Sequence, residues 1–295
     1  MPIDAGKAIG ARLPDRSFSW DESDVLLYHL SIGFGAGPGD HRDPRALSYT
    51  LDGPELQVLP SFGVVAPTFH DTDPPALDLP GCDIDLAQVV HGSQEIVVHR
   101  PLPTSGSGTV RTRISDVWDK GKAAVIVQEG VAVDTAGEPL FTTRSSIFVR
   151  GEGGWGGDRG PSTKLELPTR DADLETTYDV TPQQALLYRL CGDRNPLHAD
   201  PAFAQRAGFP APILHGLCSY GIVLRSVVEG LLESDSSRVA GFAGRFAGVV
   251  FPGETIRTRA WGEGDRVLVS ATIASTDEGR DGSPVLADCM LFLAA

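Results

Sequence analysis

The sequence predicts an α+β protein made of two copies of one unit, each an antiparallel sheet wrapped around a central helix. Three observations lead to this fold class. The two halves share short matches in the same order, both halves end in strand-like runs, and one long helix candidate is apolar on nearly every side. Because a helix without a polar face has to be enclosed, we expect a sheet curved around it.

Three colinear matches indicate that one unit has been duplicated. They pair residues 26–30 with 186–190, residues 58–61 with 213–216, and residues 110–113 with 256–259. Each match alone is weak, but their shared order is typical of a repeat. The stretch at 150–163 is too rich in glycine for a helix or strand interior. We therefore predict one repeat over 1–150, a glycine-rich linker over 151–180 and a second repeat over 181–295.

The strands and helices of the two repeats follow from hydrophobic pattern. Strand-like runs occur at 123–131 and 140–150, and again at 255–261, 266–273 and 284–293, with hairpin turns at 134–137 and 279–283. The long apolar helix is predicted over 212–232, where apolar residues recur at steps of three and four. The matching segment 58–69 contains Pro60, Gly63 and Pro67, which predict a short or broken helix and hence a cavity in the first half.

Composition excludes several classes of partner. The chain of 295 residues has a net charge of -14, so its field repels nucleic acid and anionic membrane surfaces. No apolar run approaches the ~20 residues of a membrane span, and the N-terminus lacks the apolar core of a secretory signal. The four cysteines form no CxxC pair and are expected to be reduced. We predict a cytoplasmic protein that binds neither nucleic acid nor membranes.

The strongest chemical signal is the segment 190–198, Leu-Cys-Gly-Asp-Arg-Asn-Pro-Leu-His. Pro196 excludes a continuous helix and favours an extended Asn195, so the segment is predicted to be a shaped turn that brings Asp193 and His198 together as an acid-base cluster. The alternative is ordinary turn chemistry for Asp193 and Asn195, with a buried core histidine at 198. Asp193, His198 and Asp200 are also possible metal ligands by type, but no spacing fixes such a site and no metal is predicted.

With these residues the chain resembles the MaoC-like hydratases, specifically the R-specific 2-enoyl-CoA hydratases of the double-hotdog type. The motif stands at 188–198, from an aromatic residue to the final histidine. His-Gly at 91–92, Asp-Lys-Gly at 119–121 and the run 212–218 resemble the hydratase domain of peroxisomal multifunctional enzyme type 2 and bacterial steroid side-chain hydratases. The resemblance implies a double-hotdog fold over nearly the whole chain and a homodimer.

The resemblance also implies a reaction: reversible addition of water to a trans-2-enoyl-CoA of beta-oxidation, giving the (3R)-3-hydroxyacyl-CoA without a metal or redox cofactor. Asp193 and His198 would share and activate one water while Asn195 positions the site. The backbone N–H of Gly216, near the start of the long helix, would stabilise the charge that develops on the thioester oxygen. Close packing is an equally good reason for a glycine at 216, and His215 is evenly balanced between a role in the site and a capping or packing role.

The acyl-CoA site would be lined by further residues. By resemblance these are His91, Gly92, Lys120, Arg194, Pro196, Leu197 and Phe246. Lys120, with the nearby Lys122, would reach the CoA phosphates, although a solvated turn lysine is as good a reading; core packing is the simpler reading of Phe246. The first half has no acid or imidazole at 31–35, so one active site per chain is expected, with the first half holding the acyl group.

Two other functions remain open at the level of sequence. A hotdog acyl-CoA thioesterase would use the same fold and CoA site, and a non-catalytic acyl-CoA-binding subunit would need only the cleft. The acid-base pair favours the hydratase, since neither alternative requires it. Resemblance to the steroid side-chain hydratases, together with the interrupted helix at 58–69, favours a bulky or steroid enoyl-CoA substrate.

Overall fold

The computed structural model describes residues 3–75, 78–84, 88–162 and 164–294. Thr163 of the predicted linker, and the predicted repeat ends at Met1 and Ala295, lie outside the described residues. Within the described residues, ten strands form one antiparallel sheet. Their bounds are β1 Arg16–Trp20, β2 Val89–Val98, β3 Gly106–Asp119, β4 Ala123–Asp134, β5 Pro139–Arg150, β6 Leu174–Asp179, β7 Val239–Phe246, β8 Thr255–Glu263, β9 Arg266–Ala274 and β10 Pro284–Leu293.

The strand order confirms the duplicated architecture. The order across the sheet is β1-β3-β4-β5-β2-β7-β10-β9-β8-β6, so both halves have the same order when read outward from the centre. The halves join through β2 and β7, which pair from Ser93 opposite Arg245 to Val97 opposite Gly241. The matched segments 110–113 and 256–259 lie on β3 and β8, at the same position in each half. The two repeats therefore pair within one chain.

The described helices are α1 Ala5–Ala8, α2 Glu22–Ser31, α3 Pro44–Leu47, α4 Phe62–Val65, α5 Gln184–Tyr188, α6 Pro201–Arg206 and α7 Gly216–Leu231. The longest, α7, packs against β6, β7, β8 and β10 of the sheet. Among the described helices, none reaches the length and apolarity that crossing a bilayer requires. Residues 218–228 of α7 are all buried, which confirms the predicted enclosed helix.

The predicted start of α7 at Pro212 is wrong by four residues. The N–H of Leu214 donates to the carbonyl of Val250 at 2.7 Å, and His215 has extended backbone angles, φ -59 and ψ 135. Because the ψ of His215 is not helical, the helix cannot extend back through this residue to Pro212. The helix begins at Gly216, which places the free N–H groups of its first turn beside the motif loop.

The short helix predicted at 58–69 is confirmed as α4, followed by a 3-10 turn over Ala66–Thr68. Aromatic side chains pack beside it: the ring of Phe62 lies 6.2 Å from that of Trp20 and 5.8 Å from that of Phe69. They belong to a hydrophobic core shared by both halves, which includes Leu214 and Val223 of the second repeat. The halves thus share a core as well as a sheet.

The predicted linker over 151–180 is too long, because β6 lies within it and pairs with β8 at the edge of the sheet. Residues of β6 alternate between half-buried and exposed. Such a weak alternation directly after a glycine-rich stretch is hard to recognise as a strand from the sequence. The glycine-rich part is anchored by the buried carboxylate of Asp119, which accepts N–H bonds from Gly121, Gly154, Gly156 and Gly157. These backbone bonds, that of Gly154 foremost, lower the pKa of Asp119 to about 2.

Candidate active site

The motif loop is built by short turns that hold its side chains in place. A 3-10 turn over Arg189–Cys191 ends at Gly192, and a second covers Pro196–His198. A carboxylate oxygen of Asp193 accepts the N–H of Asn195 at 3.1 Å, and the amide oxygen of Asn195 accepts the N–H of Leu197 at 3.0 Å. Asp193 and Asn195 therefore do form the backbone bonds expected of ordinary turn residues, which was the alternative interpretation. These bonds also fix the loop that leads to His198.

Asp193, His198 and His215 converge on one point. One side-chain donor atom from each lies within 4.8 Å of the others. His198 is 8% exposed, and its Nδ1 contacts the carbonyl of Ile213 at 2.8 Å. Since a carbonyl only accepts, Nδ1 carries the proton and Nε2 is left as the basic nitrogen. Burial lowers the pKa of His198, against the opposing charge of Asp193, so the imidazole is neutral and can accept a proton.

His215 joins these two groups. Its ring stacks on that of His198 with centroids 3.7 Å apart, and its Nε2 donates to the main-chain carbonyl of Asp193 at 3.3 Å. Burial, and then the neighbouring His198, hold the pKa of His215 well below its ordinary value. The sequence left this residue evenly balanced; its only signal was the run at 212–217 next to the helix start.

The central strands supply one wall of the site. The rings of His91 on β2 and Phe246 on β7 lie 4.6 Å apart. A Cβ at Gly216 would lie 3.0 Å from the Phe246 ring, so the glycine permits this close approach. Burial lowers the pKa of His91 to about 4, and nearby Asp193 acts in the opposite direction. The structure thus places His91, Phe246 and Gly216 near one another and His91 near Asp193, and their roles in the acyl-CoA site stay predictions.

Gly92, Pro196 and Leu197 support this arrangement through the backbone. Gly92 lies at a bulge of β2, where a Cβ would come within 2.7 Å of the Ser146 hydroxyl. The carbonyl of Leu197 accepts the N–H of Ile213 at 3.4 Å, and the carbonyl of Pro196 accepts that of Asp200 at 2.8 Å. Substrate contacts of these three residues stay predictions.

A segment of the first repeat, residues 66–71, covers the motif loop. Gly192 has φ +101, and a Cβ there would lie 1.9 Å from the carbonyl oxygen of Thr68. The guanidinium of Arg194 donates to the carbonyl of Asp71 at 3.4 Å, and that of Arg189 donates to the carbonyl of Arg194 at 3.3 Å. This cover was not predicted, since it depends on how the two halves meet.

Lys120 lies at the end of the sheet from which the linker departs. Its ammonium donates to the carbonyl of Pro161 at 3.1 Å and to that of Arg159, and it lies 5.3 Å from the Trp118 ring. An ammonium has three donors, so one remains after these two bonds. The predicted contact of Lys120 and Lys122 with CoA phosphates stays a prediction.

The corresponding place in the first repeat is filled by aromatic rings. After α2, Phe34 stacks on Tyr49 with centroids 4.2 Å apart, and His29 lies 5.1 Å from Phe34. His29 is satisfied as a neutral core histidine by the Tyr49 carbonyl and the Leu59 N–H. In the first repeat, the segment after α2 thus packs into an aromatic cluster and carries no acid–imidazole pair at 31–35.

Asp193, His198 and His215 are residue types that could hold a metal ion, so the absence of a metal stays a prediction, but the orientation of the two imidazoles favours that prediction. Asp200, which the sequence placed among possible ligands, instead accepts the N–H of Ala202 as the cap of α6. In the cluster of Asp193, His198 and His215, the two imidazoles are stacked with an interplanar angle of 29°. A metal ion bound by both rings would have to lie in both ring planes, because the nitrogen lone pairs lie in those planes. Two planes so nearly parallel intersect much farther from the nitrogens than the ~2.1 Å of a metal–nitrogen bond.

Two cavities lie away from these groups. One of about 660 Å³ is lined by Arg225, Tyr178 and Glu229, and one of about 360 Å³ by Pro60, Val98 and His99. Neither has Asp193 or His198 in its lining. The acid-base cluster therefore stands apart from both.

Comparison with known proteins gives consistent matches. The family described as "MaoC like domain" matches residues 164–278, and "MFE-2 hydratase 2 N-terminal domain" matches residues 18–151. The chain is 53% identical over 294 residues to the Mycobacterium tuberculosis protein "Enoyl-CoA hydratase ChsH3", covering 100% of each. It is 36% identical over 276 residues to "Peroxisomal multifunctional enzyme type 2" of Mus musculus, covering 92% of this chain and 37% of the relative.

Among solved structures, a MaoC-like dehydratase from Phytophthora capsici is similar over 99% of this chain and 98% of its own, with a TM-score of 0.85 and 28% identity. The architecture, two repeats forming one sheet with a central helix, is a double hotdog.

Proposed function

The chain belongs to the MaoC-like hydratase 2 family, and on that premise we propose that it is an enoyl-CoA hydratase producing the (3R)-3-hydroxyacyl-CoA from a trans-2-enoyl-CoA. The observation that carries the proposal is the convergence of Asp193 and His198 within 4.8 Å. A carboxylate and a neutral imidazole at this separation can hold one water between them. We assign substrate binding mainly to the first repeat and catalysis to the second.

The proposed chemistry balances as the net addition of one water. Asp193 and His198 remove a proton from the water, whose oxygen bonds to C3. The π electrons of the double bond move toward C2 and the thioester oxygen, where the N–H of Gly216 stabilises the negative charge. The proton held by the acid-base pair is then delivered to C2. Asn195 positions the loop, and no metal or redox group takes part; the stacked imidazoles support the proposal that no metal is needed.

A direct assay tests this function. Incubation with a trans-2-enoyl-CoA should remove the absorbance of the conjugated thioester without releasing a thiol, and chiral analysis should find the 3R product. Release of free CoA would instead identify a thioesterase, and binding without either change would identify an acyl-CoA-binding subunit. Asp200→Asn is a matched control, because it alters an acid close in sequence that caps α6 outside the cluster.

We propose a bulky, steroid-like acyl group as the preferred substrate. The support for this is the four-residue α4, which occupies the place where the second repeat has the sixteen-residue α7. Displacing the aromatic rings that pack beside α4 would make room there for a larger ligand. A kcat/KM profile over short, long and steroidal enoyl-CoAs tests this. A preference for short straight chains would overturn it and leave the hydratase assignment intact.

A cytoplasmic location and a homodimeric state complete the proposal. All four cysteines are free thiols, which is compatible with a reducing compartment. The acyl-CoA thioester is the expected small-molecule partner, and membranes and nucleic acids are not expected ones because of the acidic charge. Light scattering after gel filtration measures the oligomeric state, and a monomer mass would remove the dimer from the proposal.

A further inference from the structure

The buried polar atoms that have no partner within the described part of the chain include the hydroxyl of Tyr188 and Nδ1 of His215, together with Nε2 of His91 and Nε of Arg189 nearby. Tyr188 and His215 are each 1% exposed, and their ring centroids are 5.0 Å apart. Leaving such a buried atom without a hydrogen-bond partner destabilises the folded protein. Two of them on neighbouring rings therefore call for a common explanation.

The two atoms are complementary. Nε2 of His215 has to donate, because its neighbour is the carbonyl oxygen of Asp193. In the neutral ring this leaves Nδ1 as an acceptor, and burial keeps the ring neutral. The Tyr188 hydroxyl is a donor, and burial raises its pKa well above the ordinary value, so the proton stays on the oxygen. The Tyr188 hydroxyl, a donor that lacks an acceptor, thus lies on a ring next to that of His215, whose Nδ1 is an acceptor that lacks a donor.

The first repeat shows the corresponding pair already bonded. Tyr28 matches Tyr188 in the repeated segments 26–30 and 186–190. Ser61 and His215 each occupy the position immediately before the helix, α4 and α7 respectively, although the sequence match of 58–61 with 213–216 is offset by one residue and pairs Ser61 with Gly216. The Tyr28 hydroxyl donates to the Ser61 hydroxyl at 2.8 Å. In the repeat without the catalytic motif, the tyrosine therefore bonds the side chain that precedes the central helix.

We propose that the Tyr188 hydroxyl donates to Nδ1 of His215, directly or through one water, and that this pair positions the catalytic groups. It rests on the proposed hydratase function. The bond fixes the rotation of the His215 imidazole, which in turn holds the Asp193 carbonyl through Nε2 and stacks on His198. Tyr188 and His215 are positioning residues, since they act through Asp193 and His198.

Tyr188→Phe tests the pair, because it removes one oxygen and keeps the ring. Misplacement of the acid-base pair should lower kcat between about 10- and 100-fold with KM almost unchanged. In the full-length protein labelled with ¹⁵N-histidine, the Nδ1 resonance of His215 should move toward that of a free acceptor. The NMR measurement needs no turnover, so it remains informative even if the protein proves not to be a hydratase.

Tyr28→Phe is the matched control, because it removes the equivalent hydroxyl in the repeat without the motif. It should lower the melting temperature, since Ser61 loses its partner, and leave kcat unchanged. An unchanged kcat in Tyr188→Phe would overturn the proposal, as a hydroxyl with no partner can be removed without loss. A lower kcat with an unmoved His215 resonance would also overturn it, because the hydroxyl would then act elsewhere.

Discussion

At the scale of single residues, the site depends on two ionisable groups in different surroundings. His198 is buried, which disfavours its charged form, while Asp193 is only half-buried and keeps access to polar neighbours. The nearby carboxylate opposes the effect of burial on the histidine. A neutral base beside a carboxylate is the state that the addition of water requires at its start.

Removing either group should therefore stop the reaction without unfolding the protein. Asp193→Asn and His198→Gln should each lower kcat by about 10² or more, the usual scale of acid-base contributions. Steady-state hydration assays measure the rates, and circular dichroism checks the fold. Near-normal turnover in either variant would contradict the shared-water mechanism.

Lys120 offers a second test at this scale. If its third donor binds a CoA phosphate, Lys120→Ala should raise KM several-fold for the CoA thioester and leave KM unchanged for the pantetheine thioester, which has no such phosphates. If the lysine only anchors the linker through Arg159 and Pro161, both substrates should be affected alike. Comparing the two KM values decides between these roles.

At the scale of elements, the sequence predicted the helices and strands that have a periodic apolar pattern, but it did not predict features that depend on contacts between distant segments. The apolar pattern of α7 and the strand runs of both halves predicted real elements, because burial on all sides or on one face leaves a mark in the local sequence. The start of α7 was misplaced, since it depends on a bond from Leu214 to the distant Val250. The motif predicted Asp193 and His198, whereas the positioning role of His215 depends on a stacked ring seventeen residues away, which no spacing rule reveals.

The covering segment 66–71 gives a prediction about elements. Gly192→Ala adds a Cβ in a left-handed conformation and within 1.9 Å of the Thr68 carbonyl. It should destabilise the protein by at least about 2 kcal/mol and lower activity, because the cover must move. Urea unfolding and hydration assays measure both effects. Gly137→Ala is the matched control: its φ is +88 with no neighbour within 4 Å, so only the backbone strain should remain.

At the scale of the whole molecule, the two repeats share one sheet and one core, so they should unfold together. Buried histidines lie in both halves, and burial lowers the pKa of His29 and of His91 to about 4. As the pH falls below about 6.5, these histidines bind protons in the unfolded chain but stay neutral in the folded chain. The contribution of these histidines to stability is therefore constant above about pH 6.5 and decreases toward pH 4.

His29 lies in the first repeat, so its contribution to the pH dependence of stability can be measured without changing the catalytic groups. Its lowered pKa corresponds to about 3 kcal/mol of stability lost between pH 6.5 and 4. His29→Gln should be less stable at pH 7, yet its stability should fall less steeply with acid than that of the wild type. Urea unfolding at a series of pH values measures the two slopes, and equal slopes would show that His29 does not titrate in this way.

The pairing of β2 with β7 has a consequence for behaviour on dilution. If the two repeats were separate chains, they would have to associate before His91 of one could lie beside Asp193 of the other. Here His91, Phe246 and Asp193 belong to one polypeptide. A covalent tether keeps the effective concentration of the two halves high at any protein concentration. Specific activity should therefore stay constant from micromolar to nanomolar enzyme, even where any contact between chains dissociates.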